Sequence, residues 1–154
     1  MTPAVIFYDG VCVFCNRTVR FVLQRDPHRR FRFAPLQSEY AAAVLARHGR
    51  DAGDLDTVGL LLDAGTAGER LLVRSDAALE IFRRLGGGWS LLAGLRLVPR
   101  PLRDAAYDAF VRRRYRWFGR YDECPMPSPE LRARLASATW EGETPAPSAA
   151  SDIR

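Results

Sequence analysis

Residues 5–21, VIFYDGVCVFCNRTVRF, join a short apolar run to a segment with helical spacing. The apolar run predicts a buried strand, and Asp9-Gly10 is a turn signal that ends it. Apolar residues then recur at the three- and four-residue intervals of one helix face, which predicts a helix over 12–24. Two cysteines therefore stand where a strand passes into a helix, and this junction decides the fold.

The rest of the chain predicts alternating strands and helices. Strands are predicted at 31–34, 58–63 and 70–74, and helices at 38–47, 77–85, 102–118 and 131–136. Ser38, and either Ser75 or Asp76, are expected N-caps. WSLLAGLRLVP, which starts at Trp89, predicts a further short helix buried against the sheet. The order β-α-β-α-β-β-α indicates an α/β fold, a mixed sheet flanked by helices, with its first two strands parallel through a right-handed crossover.

Length and composition predict one domain. The chain has 154 residues and a net charge of +5, and all of its basic side chains are arginine. We expect a domain over 1–138, whose C-terminal helical extension covers about 89–138, and a disordered tail over 139–154, rich in Pro, Ala, Ser and Thr. No run approaches the ~20 apolar residues of a membrane span, and no signal peptide is visible, so a cytoplasmic location is expected.

The pair Cys12 and Cys15 has a direct chemical interpretation. The first amides of a helix lack internal partners and favour an anion, so a sulfur at that end is favoured as thiolate. Thiolate is the attacking species in disulfide exchange. The second sulfur lies one turn further on, where it can close an intramolecular disulfide. We therefore expect a catalytic dithiol open to a partner, with Phe14 exposed between the cysteines.

Asp9 precedes Cys12 by three residues and ends the strand. Its carboxylate could accept a proton from Cys15 when that thiol becomes a nucleophile. The same negative charge would oppose a nearby thiolate. An Asp-Gly turn or a helix cap is the structural alternative. Asp9 is thus a candidate catalytic residue beside the two cysteines.

Two other kinds of function stay open. A zinc site would need Cys12 and Cys15 together with the scattered residues Cys124, His28 and His48, although tetrahedral sites usually use two close pairs. An interaction module would use RRRYRW, residues 112–117, in which arginine is interleaved with aromatic rings as in single-strand nucleic-acid binders. We expect neither metal nor organic cofactor, and we do not expect nucleic-acid binding. The segment WSLLAGLRLVPRPL would also suit a membrane surface.

DGVCVFC, residues 9–15, resembles the Asp-x-x-Cys-x-x-Cys pattern of the DCC family of predicted thiol–disulfide oxidoreductases. FAPLQSE, RSDAAL and LVPRPLRDAAYDAFVRRRYRWFGR look like the same family, as does Cys124, and the resemblance covers residues 5 to about 126. It implies a thioredoxin-like fold and a redox dithiol at Cys12 and Cys15. The partner it implies is a protein or small-molecule thiol or disulfide of unknown identity.

Overall fold

The computed structural model describes residues 4–50, 58–121 and 128–135. The strands are β1 Ala4–Tyr8, β2 Phe31–Pro35, β3 Val58–Leu62 and β4 Arg70–Val73. The helices are α1 Val13–Arg25, α2 Glu39–Arg47, α3 Arg74–Leu85, α4 Arg100–Phe118 and α5 Pro129–Arg132, with a 3-10 helix at Gly87–Leu97. Cys124 and the tail predicted to be disordered, 139–154, lie outside the described residues, and the single-domain boundary stays a prediction.

The strands form one mixed sheet in the order β2-β1-β3-β4. β1 pairs in parallel with β2 and antiparallel with β3, and β3 pairs antiparallel with β4. The fold class and the parallel first pair are confirmed. β1 is central and buried along its whole length, because both of its faces are covered. The loop that carries the cysteines therefore begins at the end of a central strand of the sheet.

Alternate residues of β1 point into two separate cores. Ile6 and Tyr8 pack in a cluster with side chains of α1 and α3, and Val5 and Phe7 pack with α2 on the opposite face. This division follows from the two-residue period of a strand. The result is a layer of helices on each side of the sheet, and α1 leaves β1 on the same side as α3.

The predicted starts of α3, α4 and α5 are wrong. α3 begins at Arg74 after Val73, which makes no side-chain capping bond. Ser75 instead donates to Asp104 (2.6 Å), and Asp76 accepts from Arg103 (3.0 Å), so contacts with α4 replace the expected cap. α4 begins at Arg100 and α5 at Pro129, each two residues before the predicted start. Ser38 does cap α2, accepting from the Ala41 amide at 3.2 Å.

The segment WSLLAGLRLVP, expected to be a helix buried against the sheet, also differs from its prediction. It is a 3-10 helix without a buried residue, and several of its leucines are exposed. Helical spacing predicts Ala106 on the inward face of α4 together with Phe110 and Val111, but Ala106 is exposed. No helix in the described part of the chain is both long and apolar enough to cross a membrane.

Candidate functional site

The loop between β1 and α1 is fixed by backbone and amide contacts. The Gly10 amide donates to Gln37 Oε1 (3.1 Å), and Asn16 Nδ2 donates to the carbonyls of Gly10 (2.8 Å) and Cys12 (2.9 Å). The Cys12 amide donates to the Asp9 carbonyl (3.2 Å). These hydrogen bonds connect the loop to Gln37 and to Asn16 of α1, and they hold Cys12 at the N-terminus of that helix.

Cys12 is the N-cap of α1. Its sulfur accepts a hydrogen bond from the Cys15 amide at 3.4 Å, in the position where a serine or aspartate oxygen normally caps a helix. A hydrogen bond from the Cys15 thiol, that amide and the charge of Arg114 together outweigh burial and lower the pKa of Cys12 from 9.0 to about 6. Cys12 is therefore largely a thiolate at neutral pH.

Cys15 lies one turn into α1, and its pKa is shifted in the opposite direction to that of Cys12. Its hydrogen bond to Cys12, its burial and the nearby negative sulfur all raise the pKa of the Cys15 thiol well above its ordinary range. On one side it adjoins an apolar cavity of about 260 Å³, whose wall includes Phe14, Phe82 and Phe110. The pair is thus asymmetric, with one sulfur as an anion and the other holding its proton.

Asp9 receives four hydrogen bonds. The Val11 amide (3.2 Å) and Gln37 Nε2 (3.0 Å) donate to Oδ1, while Arg114 Nη2 (3.3 Å) and the Tyr115 hydroxyl donate to Oδ2. Burial raises the pKa of Asp9, but these donors outweigh it and leave the pKa below its ordinary value. A carboxylate offers about four acceptor positions, and here a donor meets each one. Asp9 is therefore the charged centre of a buried cluster beneath the cysteine loop.

Arg114 and Tyr115 are the site residues that sequence reasoning missed. Four arginines crowd the last turns of α4, and one of them, Arg114, is buried and forms an ion pair with Asp9. One signal was present in the sequence. Arg114 stands three residues after Val111 and four before Phe118, and helical spacing predicts both of these apolar residues on the inward face of α4.

The cysteines are covered, contrary to the expectation that they are open to a partner. Cys12 is 0% exposed and Cys15 is 2% exposed. After Gly119 the chain turns back, so that Arg120 bridges Cys12 and the Tyr121 amide donates to the Val11 carbonyl at 2.8 Å. Residues 119–121, here called the strap, therefore lie directly over the loop. Arg120 and Tyr121 are exposed, which places Cys12 just beneath the surface.

Phe14 is not exposed either. Its ring packs against Phe110 (4.8 Å between centroids) and Phe118 (4.9 Å) of α4, so it joins the cysteine turn to that helix. Arg17 and Arg20 of α1 follow the cysteine pair closely in sequence, but both side chains are exposed. The positive charge beside Cys12 comes instead from Arg114, a residue of the same type on a different helix.

The described residues contain no group of three or more His, Cys, Asp or Glu side chains placed to hold a metal ion. Cys124, which the zinc alternative would require, lies outside the described residues. Cys12 and Cys15 are both reduced in the structure, with no disulfide between them.

The mixed sheet, the strand-to-helix junction and the cysteine pair at the N-terminus of α1 define a thioredoxin-like α/β protein. The family model for DCC1-like thiol-disulfide oxidoreductases matches residues 6–120, and the chain belongs to this family. Its family name indicates a redox function.

Two relatives share about a third of its residues. The chain is 36% identical over 131 residues to the uncharacterized protein YuxK of Bacillus subtilis, covering 85% of this chain and 92% of the relative. It is 35% identical over 123 residues to a DCC family protein of Arabidopsis thaliana described as chloroplastic, covering 79% and 69%. No solved structure matches the chain. The cytoplasmic location stays a prediction.

Proposed function

We propose that this protein is a thiol–disulfide oxidoreductase that exchanges the Cys12–Cys15 dithiol with a disulfide on a partner. The observation that carries the proposal is the capping contact between the Cys15 amide and Cys12 Sγ, which favours a thiolate at Cys12. Thiolate is the species that attacks a disulfide. The partner is a protein or small-molecule thiol or disulfide, and neither metal nor organic cofactor takes part.

The reaction runs in two exchanges. Cys12 thiolate attacks one sulfur of the partner disulfide, forms a mixed disulfide and releases the other partner sulfur as a thiolate, which takes up a proton. Cys15 then loses its proton and attacks Cys12 Sγ, which closes the intramolecular disulfide and releases the second partner thiol. The partner gains two electrons from the protein and two protons, one that Cys15 releases and one from solvent, because Cys12 reacts as a thiolate. The reverse direction uses the same steps, because the reduction potentials of the two couples decide the direction.

The buried position of Cys12 adds a step to this proposal. A partner disulfide reaches the sulfur only after the strap moves. This movement breaks the hydrogen bond from the Tyr121 amide, the Cys12–Arg120 bridge and the contact of the Arg120 guanidinium with the Tyr115 ring. Local opening of this kind requires much less free energy than global unfolding. We propose that exchange begins from this opened form.

Asp9 acts in the proposal as a positioning residue. It holds the loop through the Val11 amide and fixes Arg114 near Cys12. Transfer of the Cys15 proton to Asp9 requires one of its four donors to leave first. That transfer stays a prediction, tested below.

The experiment is a redox titration across glutathione ratios, with thiol alkylation and mass spectrometry of the product. We expect a mutual Cys12–Cys15 disulfide with a midpoint between about −300 and −150 mV, the span of known dithiol proteins. The Cys15→Ser variant should accumulate a stable mixed disulfide at Cys12, while Cys12→Ser should form none. Absence of the mutual disulfide throughout that range would reject the proposal.

A further inference from the structure

A second surface of the molecule has no part in the redox site. It consists of large apolar side chains on the 3-10 helix and the start of α4, here called the leucine surface. Its members and their exposed fractions are Trp89 39%, Leu91 81%, Leu95 51%, Leu97 92%, Val98 36% and Leu102 63%. These six side chains fall within fourteen consecutive residues, and a concentration of exposed apolar side chains marks an interaction site, whereas singly scattered ones do not.

The exposure follows from the geometry of the 3-10 helix. With about three residues per turn, side chains three apart lie in register. Leu91 and Leu97 share one edge with Gly94, and that edge faces solvent. Arg96 lies on a different edge, which faces α3, since its guanidinium donates to Glu80 at 2.7 Å. The leucines therefore point outward because the polar edge of the same helix is attached to the protein.

Contacts at both ends keep this segment in place. Trp89 packs edge-to-face on Phe21, with ring centroids 4.9 Å apart. At the other end Arg103 donates to the Val98 carbonyl (3.0 Å) and to Asp76 (3.0 Å). The leucine surface is therefore a fixed feature, already formed before any partner arrives.

Positive charge continues from the leucine surface along α4. At about 100° per residue, Arg113, Arg116 and Trp117 lie within about 60° of Leu102 around the helix axis. Arg113, Arg116 and Trp117 are exposed, and Ala105 and Ala106 lie between them and Leu102. These residues span 102–117 of α4, so this face is about 22 Å long. One side of the helix thus combines leucine, alanine, arginine and tryptophan, and it carries no acidic residue.

We propose that the leucine surface and this face of α4 dock on an anionic lipid bilayer. Leucine and tryptophan side chains enter the boundary between headgroups and acyl chains, and arginine side chains reach the lipid phosphates. A second copy of the chain would bring the same positive charge, net +5, and so would not complement the arginines. Anionic lipid supplies both the apolar layer and the negative charge.

Co-sedimentation with vesicles tests this proposal. The full chain is mixed with phosphatidylcholine vesicles with or without phosphatidylglycerol, at low and at high salt. We expect binding to the anionic vesicles that weakens with salt. The double variant Leu91→Ser, Leu97→Ser should reduce partitioning by about tenfold or more, because two exposed leucines no longer enter the membrane. Both side chains face solvent, so the variant should fold normally.

The charge component has a matched control. Arg113→Gln with Arg116→Gln should weaken binding to anionic vesicles by about fivefold per arginine. Arg17→Gln with Arg20→Gln removes the same charge from exposed positions on α1 and should have a much smaller effect. Wild-type protein that stays in the supernatant with anionic vesicles at low salt would overturn the proposal. So would equal binding by the leucine variant, or a dimer in light scattering that this variant dissociates.

Discussion

Arg114 of α4 forms a buried ion pair with Asp9, 105 residues earlier, at 3.3 Å from Oδ2. The pair joins the last turns of a C-terminal helix to the loop that carries the cysteines. It also gives Cys12 a positive neighbour that no local sequence pattern supplies. The electrostatics of the site therefore depend on how α4 packs against the first strand and helix.

Replacing Arg114 tests this dependence. Arg114→Gln keeps an amide donor but removes the charge, and the positive charge of Arg114 is one cause of the low pKa of Cys12. We expect the pKa of Cys12 to rise by roughly one unit, measured as the pH dependence of alkylation by iodoacetamide. Arg113→Gln, one position earlier and exposed, is the control and should leave the profile unchanged. Equal shifts in both variants would mean that only net charge matters.

Asp9→Asn separates the two roles considered for Asp9. It breaks a buried ion pair, so the free energy of unfolding should fall by about 3 kcal/mol, measured by urea denaturation. The pKa of Cys12 should fall further, because Arg114 is no longer neutralised. If Asp9 also accepts the proton of Cys15, the mixed disulfide should resolve more slowly in a quench-flow measurement. An unchanged resolution rate would leave Asp9 as a positioning residue only.

Gly119 controls the strap. Its backbone has φ of 90°, a conformation that is strained for any other residue. Gly119→Ala should therefore favour the opened form by about 1 kcal/mol. At fixed pH we expect Cys12 to be alkylated about fivefold faster, while the pH midpoint of the reaction is unchanged.

Gly88→Ala is the matched control for that experiment. Gly88 has an ordinary φ, and an added methyl group would meet nothing within 4 Å. Cys12 in the Gly88→Ala variant should therefore be alkylated at the wild-type rate. A Gly119→Ala protein that reacts no faster than Gly88→Ala would show that the strap does not limit access to Cys12.

The low pKa of Cys12 also predicts a pH dependence of stability. Between pH 6 and about 9 the folded protein has lost the Cys12 proton and the unfolded chain has not, so the unfolded state binds more protons. Stability of the reduced protein should therefore rise with pH across this window, by at most about 1.4 kcal/mol per unit, and be lost as pH falls through about 6.

Above about pH 9 the sign reverses, because Cys15 keeps its proton when folded and releases it when unfolded. Urea denaturation of reduced wild type and Cys12→Ser between pH 6 and 9 isolates the contribution of Cys12, because Cys15 keeps its proton in the folded and unfolded states of both proteins over this window. The rise between pH 6 and 9 should be absent from the variant. Parallel curves for the two proteins would contradict the assigned thiolate.

Much of the fold was predictable because it is encoded locally. The apolar run at β1 and the helical spacing after Cys12 produced the strand and helix that the structure contains. The antiparallel hairpin of β3 and β4 followed from two short apolar runs around a glycine-containing turn. The start of α3 was not predictable in the same way, since Ser75 and Asp76 bond to α4 rather than cap their own helix.

The leucine surface illustrates the opposite case. An apolar segment of this composition normally predicts burial, and here it is exposed. The competing influence is Glu80, which binds Arg96 and Arg83 and fixes the polar edge of the 3-10 helix inward. Hydrogen bonds from Arg83, Arg84 and Arg96 lower the pKa of Glu80 to about 2, so that carboxylate stays charged and paired.

The sequence by itself determined that two sulfurs stand at the opening of a helix, because strand, turn and helix are set by neighbouring residues. It also determined the layer architecture, a mixed sheet flanked by helices, because strands and helices alternate along the chain. Only the tertiary structure decided which charge faces Cys12, whether that sulfur is covered, and which apolar side chains stay outside. Those outcomes depend on contacts between residues as many as 106 positions apart, as for Asp9 and Tyr115, and no local pattern encodes the partner in such a contact.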